Sequence, residues 1–541
     1  MKESLSFKRD ELVSVVTNRS RPWDVLVIGG GATGLGAAVD AASRGYDTLL
    51  LEQSDFGKGT SSRSTKLVHG GVRYLQQGNL SLVYEALHER GLLLENAPHV
   101  TTNLNFVIPC YRWWEKPFYA TGLKLYDLMA GKRSLGGSRV LSARGAREHL
   151  PTVRSKGLRG GVRYQDGQFD DARLALNLAQ TAVEQGGVAL NYVRVDALEK
   201  EGGRISGVVA TDLETGSEWT ISARAVVNAT GVFGDTIRRM DRPDAKPMIQ
   251  PSQGAHIVVD RSFLPGDSAL MLPKTDDGRV LFAVPWHERV IIGTTDTPLD
   301  DVTLEPRALE DEVTFLVEHA DRYLDRPLGR ADVLSVFAGL RPLVSTEDDE
   351  ETAAISRDHV LCVSHSGLIT ITGGKWTTYR RMGEDTIDKA AELAGLAAQP
   401  CRTHSLRIHG WVASVDRDAA YSIYGADAEG VEQVVRSTET GPELVHDDLS
   451  VRAGEVRWMA RREMARTVDD VLARRTRSLL LDARASAEAA PAVAALLADE
   501  LGKDADWADD QAASFQEMAK SYILDAPGAG PATPARTRAN S

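Results

Sequence analysis

The stretch Asp24-Val25-Leu26-Val27-Ile28-Gly29-Gly30-Gly31-Ala32-Thr33-Gly34, with Thr48-Leu49-Leu50-Leu51-Glu52 downstream, decides the fold. This order predicts a βαβ unit: an apolar run is followed by a glycine turn, a helical segment and a second apolar run that ends in an acid. Gly29 permits the tight turn, Gly31 lets backbone amides approach a pyrophosphate, and Gly34 lets the helix pack on the strand. Glu52 stands where a carboxylate accepts hydrogen bonds from ribose hydroxyls. We therefore expect a bound dinucleotide; the alternative is a glycine-rich turn of another α/β protein.

Composition and charge exclude several classes of protein. The chain has 541 residues, of which 42% are apolar and 26% charged, enough for a large core and several domains. A net charge of −13 argues against generic nucleic-acid binding. Three scattered cysteines without a CxxC pair indicate neither a disulfide framework nor a metal site. Without a signal peptide or a spanning apolar run, we expect a cytoplasmic protein that meets a membrane only at its surface.

The nucleotide-binding parts are discontinuous along the chain. After a predicted amphipathic helix over 171–186, Ala225-Val226-Val227-Asn228-Ala229-Thr230-Gly231 returns to a strand and small-residue turn, and 360–389 does so again. Between them, 255–296 carries short β-rich runs that predict an antiparallel sheet, with an amphipathic helix at 309–324 packed on it. A compact NAD-only domain is ordinarily contiguous, so this order favours a flavin fold.

The predicted fold class is α/β. It comprises a discontinuous FAD-binding Rossmann-like domain of the glutathione-reductase/D-amino-acid-oxidase type, an antiparallel β-rich substrate domain and a C-terminal helical domain. The expected boundaries are 20–95, 160–250 and 350–395 for the FAD-binding domain; 96–159 and 251–349 for the substrate domain; 396–525 for the helical domain; and 526–541 for a disordered tail. The helical domain could close over the pocket, contact a partner or form a homodimer.

The segment 110–139 interleaves basic and aromatic residues. Such a composition suits an anionic membrane surface, with Trp113, Trp114, Phe118 and Leu123 as candidate inserted side chains. The alternative is a buried aromatic loop with basic edges.

Four motifs in order resemble the FAD-dependent, quinone-linked glycerol-3-phosphate dehydrogenase family. They are Thr60-Ser61-Ser62-Arg63-Ser64-Thr65-Lys66-Leu67-Val68-His69-Gly70-Gly71-Val72-Arg73-Tyr74-Leu75, Trp286 with Gly293-Thr294-Thr295-Asp296, Gly339-Leu340-Arg341-Pro342-Leu343, and Gly373-Gly374-Lys375-Trp376-Thr377-Thr378-Tyr379-Arg380. The resemblance extends from about residue 20 to 395 and continues more weakly beyond. It implies oxidation of sn-glycerol 3-phosphate to dihydroxyacetone phosphate by hydride transfer to FAD, with electrons passed to membrane quinone.

The βαβ unit, the return at 225–231 and the four motifs supply most of the candidate site residues. Those expected at the cofactor are Gly29, Gly31, Gly34, Glu52, Thr60, Ser61, Ser62, Lys66, His69, Gly70, Thr230, Gly231, Asp296, Gly373 and Gly374. Those expected at the substrate are Arg73, Tyr74, Arg341, Arg357 and Lys375, with the first three placed there by the resemblance. The simpler interpretations are a polar loop for the serine/threonine cluster, surface ion pairs for Arg73 and Arg357, and a solvated lysine for Lys375.

Oxidation of an alcohol also requires a proton acceptor. His256, which precedes an apolar β-run, ranks above His69 beside the double glycine, although a lone histidine next to a strand is more often structural. Arg341 would stabilise the developing alkoxide with either base, because a guanidinium fork binds an oxyanion bidentately.

Three alternatives remain for the activity. An oxidase of the same family would pass the electrons to oxygen and share the pocket motifs. A non-catalytic FAD-binding module would bind FAD without turnover. Arg341 and Lys375 argue against it, because each could bind an anion of the size of a phosphate. A D-amino-acid-oxidase-like enzyme would share the fold and act on amines.

Overall fold

The computed structural model describes residues 5–72, 79–273, 275, 278–344, 354–356 and 359–524, with backbone alone for 354–356. Arg73, Tyr74, Arg357 and the predicted tail 526–541 lie outside the described residues. The helices are α1 (Arg9–Thr17), α2 (Ala32–Ser43), α3 (Leu80–Asn96), α4 (Glu115–Ala130), α5 (Ala143–His149), α6 (Asp171–Glu184), α7 (Gly234–Asp241), α8 (Glu310–Asp321), α9 (Tyr379–Leu393), α10 (Ala428–Ser437), α11 (Ala453–Arg462), α12 (Ser478–Leu481), α13 (Ala483–Leu501) and α14 (Ala505–Ala519).

The strands alternate with these helices in the first half of the chain and gather in its middle. They are β1 (Trp23–Ile28), β2 (Thr48–Leu51), β3 (Leu67–Val68), β4 (Thr101–Cys110), β5 (Arg139–Leu141), β6 (Gly160–Phe169), β7 (Val188–Leu190), β8 (Val193–Glu201), β9 (Arg204–Asp212), β10 (Glu218–Asn228), β11 (Ile249–Asp260), β12 (Ser268–Leu272), β13 (Leu281–Trp286), β14 (Arg289–Gly293), β15 (Thr297–Pro298), β16 (Val333–Val344), β17 (Ala354–Ser356), β18 (His359–Val363) and β19 (Ile369–Gly373).

The first sheet, called the nucleotide sheet here, runs β17-β18-β19-β10-β1-β2-β7, with β9 paired to β10 and β8 to β9. Strand β1 lies between β10 and β2 and is parallel to both. Its end, Ile28, pairs with Asn228 on one side and Leu51 on the other, so the predicted return of the chain at 225–231 is confirmed. Helices α2, α6 and α9 pack together, and α2 contacts the other two. Parallel strands need such coverage because both of their faces are apolar.

Helix α6 forms where an amphipathic helix was predicted, and its polar side chains are buried as well as its apolar ones. Every residue from Asp171 to Val183 is buried. The polar positions are used inside the protein: Asp170 caps the helix by accepting from the Arg173 amide, and the Arg173 side chain pairs with Glu463. The polar side chains of this helix therefore find their hydrogen-bond and ion-pair partners inside the protein.

The second sheet, called the substrate sheet, runs β15-β11-β14-β13-β12-β4-β6-β3, with β16 paired to β11 and β5 to β6. Strands β11, β13 and β14 are antiparallel, as predicted. The turn between β13 and β14 has His287 and Glu288 at φ of 44° and 57°, the left-handed conformation that a tight hairpin needs. Helix α8 packs on β11 and β14. The predicted fold class is confirmed in these respects.

The C-terminal helices pack against one face of the substrate sheet. Their apolar side chains form one cluster with Val258, Trp286, Ile291 and Phe337 of that sheet. Buried ion pairs join the same C-terminal region to the nucleotide-binding part of the chain: the carboxylate of Asp55, which follows β2, accepts from the guanidinium groups of both Arg474 and Arg475. Dimer formation by these helices stays a prediction.

Segment 110–139 is mainly helix α4, with one buried face and one exposed face. Leu123 is 1% exposed and packs on the substrate sheet, so its prediction as an inserted side chain is wrong. Tyr126 is also buried, where its hydroxyl donates to Asp166 at 2.6 Å. By contrast, Trp113 is 76% exposed and Phe118 54%. None of the helices in the described part of the chain is long and apolar enough to cross a membrane.

His409 joins helix α6 to the C-terminal region and makes stability depend on pH. Its ring nitrogens lie 2.6 Å from Glu184 and 2.8 Å from Asp427. Burial opposes the charge, but the two carboxylates prevail and raise the pKa of His409 to about 9. A raised histidine pKa contributes stability fully below pH 6.5, and this is lost as pH rises through about 9. At pH 7 the contribution is about 2 to 3 kcal/mol.

We therefore expect His409→Gln to unfold at lower denaturant concentration than the wild type at pH 6 to 7, and the difference to vanish near pH 10. His446→Gln is the matched control, because among the described residues His446 makes a single ion pair, with Glu488 at 3.0 Å. Urea unfolding across this pH range measures both. A difference that stays constant up to pH 10 would contradict the assignment.

Candidate active site

One cavity of about 1380 Å³ is lined by residues of both sheets. Eleven of the fifteen residues predicted at the cofactor lie on its wall: Gly29, Gly31, Glu52, Thr60, Ser61, His69, Thr230, Gly231, Asp296, Gly373 and Gly374. The predicted substrate and catalytic residues Arg341, Lys375 and His256 lie there too. Residues more than 300 positions apart in the chain thus meet at one site.

The glycine turn after β1 has the geometry that a pyrophosphate requires. Gly29 has φ +108°, and a Cβ there would lie 2.7 Å from the carbonyl oxygen of Ala229. A Cβ on Gly34 would overlap the carbonyl oxygen of Gly29, so this residue serves helix packing and not the cavity wall. Gly31 is the N-cap of α2, whose amides face the turn. The helix dipole and these amides favour a bound anion.

Glu52 directly follows β2 and lies on the cavity wall. Its carboxylate accepts from the Gly30 amide at 2.6 Å and the Ser54 amide at 2.8 Å. Burial raises the pKa of Glu52, and the two amides oppose that shift. Each carboxylate oxygen keeps a further acceptor position, which suits a ribose hydroxyl. The volume, the turn and this acid fit a dinucleotide of the size of FAD.

Four residues predicted at the cofactor are not on the described cavity wall: Gly34, Ser62, Lys66 and Gly70. Gly70 packs beneath it, with its amide donating to the Tyr126 hydroxyl at 2.7 Å. The direct contact predicted for Lys66 is wrong. Its ammonium group is fully buried and donates to Asp171 at 2.7 Å and to the Ser62 carbonyl at 2.6 Å. A buried ammonium needs a carboxylate, which the sequence pattern did not reveal.

Arg341 projects from β16 into the cavity and is held on three sides. Its guanidinium donates to Asp296 at 3.2 Å, to Thr294 Oγ1 at 3.2 Å and to the Thr295 carbonyl at 3.0 Å. Burial lowers the pKa of Arg341, Asp296 opposes the shift, and the nearby charge of Arg279 adds to it. An arginine stays cationic despite such a shift, so the cavity contains a fixed positive charge.

His256 lies on β11, between Gly293 of β14 and Phe337 of β16. Its ring stacks on that of Phe337 at 4.7 Å between centroids, and Nε2 lies 2.9 Å from Thr65 Oγ1. Burial lowers the pKa of His256 well below the usual range, and the charges of Lys66 and Arg341 act in the same direction. The imidazole is therefore neutral at pH 7 and able to accept a proton.

His69, the second candidate base, is fixed by the backbone. Its Nδ1 accepts from the Gly71 amide at 3.0 Å, and its own amide donates to Thr377 Oγ1 at 3.3 Å. Thr377 belongs to the turn that follows β19. Gly373 and Gly374 open this turn at φ of 76° and 69°, and α9 begins at Tyr379. The predicted glycine turn leading into a helix is confirmed.

Two cavity residues were missed by the sequence analysis. Arg279 lies just before β13 and brings a further guanidinium to the wall. Thr65 lies within a quoted motif, but its bond to His256 joins residues 191 positions apart. Neither has a local sequence signal, because the role of each depends on the pairing of distant strands.

Comparisons with known proteins agree with this geometry. The family model described as FAD dependent oxidoreductase matches residues 24–380, and the C-terminal domain of alpha-glycerophosphate oxidase matches 371–508. The mitochondrial glycerol-3-phosphate dehydrogenase of Homo sapiens is 42% identical, with 93% of this chain and 73% of that protein covered. Its counterpart in Arabidopsis thaliana is 42% identical, with 91% and 85% covered.

A solved structure of the glycerol-3-phosphate dehydrogenase from Bacillus halodurans, complexed with FAD, is 31% identical. It superposes with a TM-score of 0.78, covering 95% of this chain and 98% of that one. Fold, glycine turn and cavity thus define an FAD-dependent oxidoreductase. Within that class, the chain belongs to the FAD-dependent glycerol-3-phosphate dehydrogenase family.

Proposed function

We propose that this enzyme oxidises sn-glycerol 3-phosphate to dihydroxyacetone phosphate and passes the electrons to membrane quinone. One observation carries the proposal: the Arg341 guanidinium is fixed in the same cavity as the glycine turn of β1. Lys375 lies on the wall of that cavity as well. Two cations beside a dinucleotide site suit a small substrate with a dianionic phosphate.

Different residues of the chain bind the substrate and accept the proton of its hydroxyl. Arg341 and Lys375 bind the substrate oxygens, and Arg341 also stabilises the alkoxide as the hydroxyl loses its proton. His256, neutral in the substrate-free site, holds that proton. FAD, when bound, supplies the hydride acceptor. Roles for Arg73, Tyr74 and Arg357 stay predictions, as do the individual cofactor contacts.

Anaerobic mixing of the FAD-loaded protein with sn-glycerol 3-phosphate tests the activity. We expect loss of the oxidised flavin absorbance, with stoichiometric dihydroxyacetone phosphate. Bleaching by D-amino acids alone would instead indicate an amine oxidase. An unchanged spectrum with every substrate would indicate a non-catalytic FAD-binding module and contradict the proposal.

Oxygen is a second candidate acceptor, because residues 371–508 match the C-terminal domain of an alpha-glycerophosphate oxidase. The reduced enzyme is mixed in turn with air-saturated buffer and with a soluble quinone analogue. Faster reoxidation by the quinone supports the dehydrogenase. Rapid reoxidation by oxygen with hydrogen peroxide release would favour the oxidase.

The electron acceptor bears on where the protein works. We infer a peripheral position on the cytoplasmic face of the membrane, with α4 toward the lipid. Trp113, just before α4, and Phe118, on α4, are exposed among the exposed cations of segment 110–139, which include Arg112, Lys124 and Lys132. Aromatic rings suit the interfacial region, and cations suit anionic headgroups.

Replacing Trp113 and Phe118 together by Ala is expected to weaken binding to anionic liposomes about tenfold or more, equivalent to about 1.4 kcal/mol. Reduction of a soluble quinone analogue should be unchanged. The control replaces Leu213 and Leu444, which are 43% and 44% exposed and lie outside segment 110–139. Liposome sedimentation at low salt measures the binding, and equal sedimentation of both variants would contradict the inferred position.

A further inference from the structure

The imidazole of His256 is enclosed on most sides. It is 3% exposed, and its ring packs flat against Phe337, with an interplanar angle of 11°. On the opposite strand, any Cβ at Gly293 would overlap the ring, so Gly293 gives the imidazole its space. The Nδ1 atom is buried and has no hydrogen-bond partner among the described residues. A substrate therefore has no direct access to Nδ1.

The other nitrogen is reached through Thr65. Its Oγ1 lies 2.9 Å from His256 Nε2, and Thr65 is half-buried on the cavity wall. The threonine hydroxyl can donate one hydrogen bond and accept another at the same time. It thus connects the buried nitrogen with the space where a substrate hydroxyl must lie.

The turn that bears Thr65 is held by a buried ion pair. Lys66, the next residue, has φ +63°, and its ammonium group donates to both oxygens of Asp171, at 2.7 and 2.9 Å. Ser64, the preceding residue, also donates to Asp171, at 2.7 Å. The Lys66 ammonium lies 5.6 Å from the Phe337 ring, whose other neighbour is His256. Both neighbours of Thr65 in the chain are therefore fixed to one carboxylate.

We propose that Thr65 relays a proton from the substrate hydroxyl to His256, with Lys66 and Asp171 as positioning residues. The inference rests on the proposed function. The substrate O–H bond breaks as Thr65 Oγ1 takes that proton, and the proton of Thr65 moves to His256 Nε2. The imidazole becomes imidazolium and the threonine hydroxyl is restored. The carbinol carbon loses its hydride to the cofactor, leaving a carbonyl.

The charges around His256 couple the relay to substrate binding. Lys66, itself paired with Asp171, and Arg341 are the charged groups that act on the imidazole, and both disfavour its protonation. A phosphate dianion bound at Arg341 offsets one of these positive charges. The proton affinity of His256 is then higher with substrate bound than without it.

The test compares Thr65→Ser, which keeps the hydroxyl, with Thr65→Val, which keeps the shape, and Thr65→Ala. All are studied as FAD-loaded full-length protein, with the flavin spectrum as the check on folding. In anaerobic stopped flow with sn-glycerol 3-phosphate, we expect the serine variant to keep the flavin reduction rate within about fivefold. The valine and alanine variants should lose about 10 to 100-fold with little change in KM.

Two further readouts separate a relay from a structural role. A relay moves two protons together, so the rate in mixed H2O and D2O should follow a curved proton inventory in the wild type and Thr65→Ser only. Independently of turnover, the 15N shift of His256 Nε2 in the oxidised, substrate-free protein should change in Thr65→Val and not in Thr65→Ser.

If the wild type bleaches normally and Thr65→Val keeps both the full rate and a curved proton inventory, the relay is overturned and the proposed function is left intact. No bleaching of the wild type would overturn both.

Discussion

Arg341→Gln is expected to lower kcat/KM for sn-glycerol 3-phosphate by about 10³-fold, equivalent to about 4 kcal/mol. The guanidinium is fixed by Asp296, Thr294 and the Thr295 carbonyl, so its remaining donors are oriented before substrate arrives. Glutamine supplies neither the charge nor the fork. Arg341→Lys restores the charge without the planar geometry, and we expect a loss of about 10²-fold. Steady-state kinetics and anaerobic flavin reduction measure both.

The flavin spectrum of the Arg341 variants should be unchanged, because their partner Asp296 is itself 53% exposed and can be solvated. Arg330→Gln is the matched control. Its guanidinium has the same side-chain exposure of 33% and also pairs with a carboxylate, Glu310, but lies outside the cavity wall. This control should stay within about twofold of the wild type. If Arg341→Gln also kept its kcat/KM, the substrate phosphate would have to bind elsewhere.

The predictable part of this protein is the part with short-range causes. Gly34 is required by a contact within one βαβ unit and Gly29 by its own positive φ, and the acid Glu52 follows the second strand of that unit directly. The return at Asn228 was visible because a buried parallel strand is apolar throughout and ends in small residues. Local sterics and burial leave a mark on local sequence, so these features could be recognised without coordinates.

The unpredictable part has long-range causes. Lys66 was assigned to the cofactor because it follows a serine cluster, whereas its partner Asp171 lies 105 residues away. Leu123 was assigned to a lipid surface because its neighbours are aromatic, whereas the side chain faces the core. The Thr65–His256 contact depends on where a turn meets β11. The local sequence does not indicate which distant residue a buried side chain will contact.

The two candidate bases should separate clearly in the reductive half-reaction. We expect His256→Gln to lower the rate of flavin reduction by about 10² to 10⁴-fold, because it removes the proton acceptor. His69→Gln should cost about tenfold or less, since His69 Nδ1 already accepts from the Gly71 amide and serves the turn. Anaerobic stopped flow at saturating substrate measures this rate apart from the later transfer of electrons to the acceptor.

The titration of the His256 imidazole tests the assignment of His256 as the proton acceptor without any turnover. Burial and two cations hold the pKa of His256 below 6.5 in the substrate-free enzyme. Its NMR signals should therefore stay those of a neutral ring as pH falls through 6.5, where an unperturbed histidine is half protonated. Inorganic phosphate bound at Arg341 should move the titration to higher pH, because the dianion offsets one repelling charge. An imidazole already protonated at pH 7 could not accept the substrate proton, and the larger loss would then have to fall on His69→Gln.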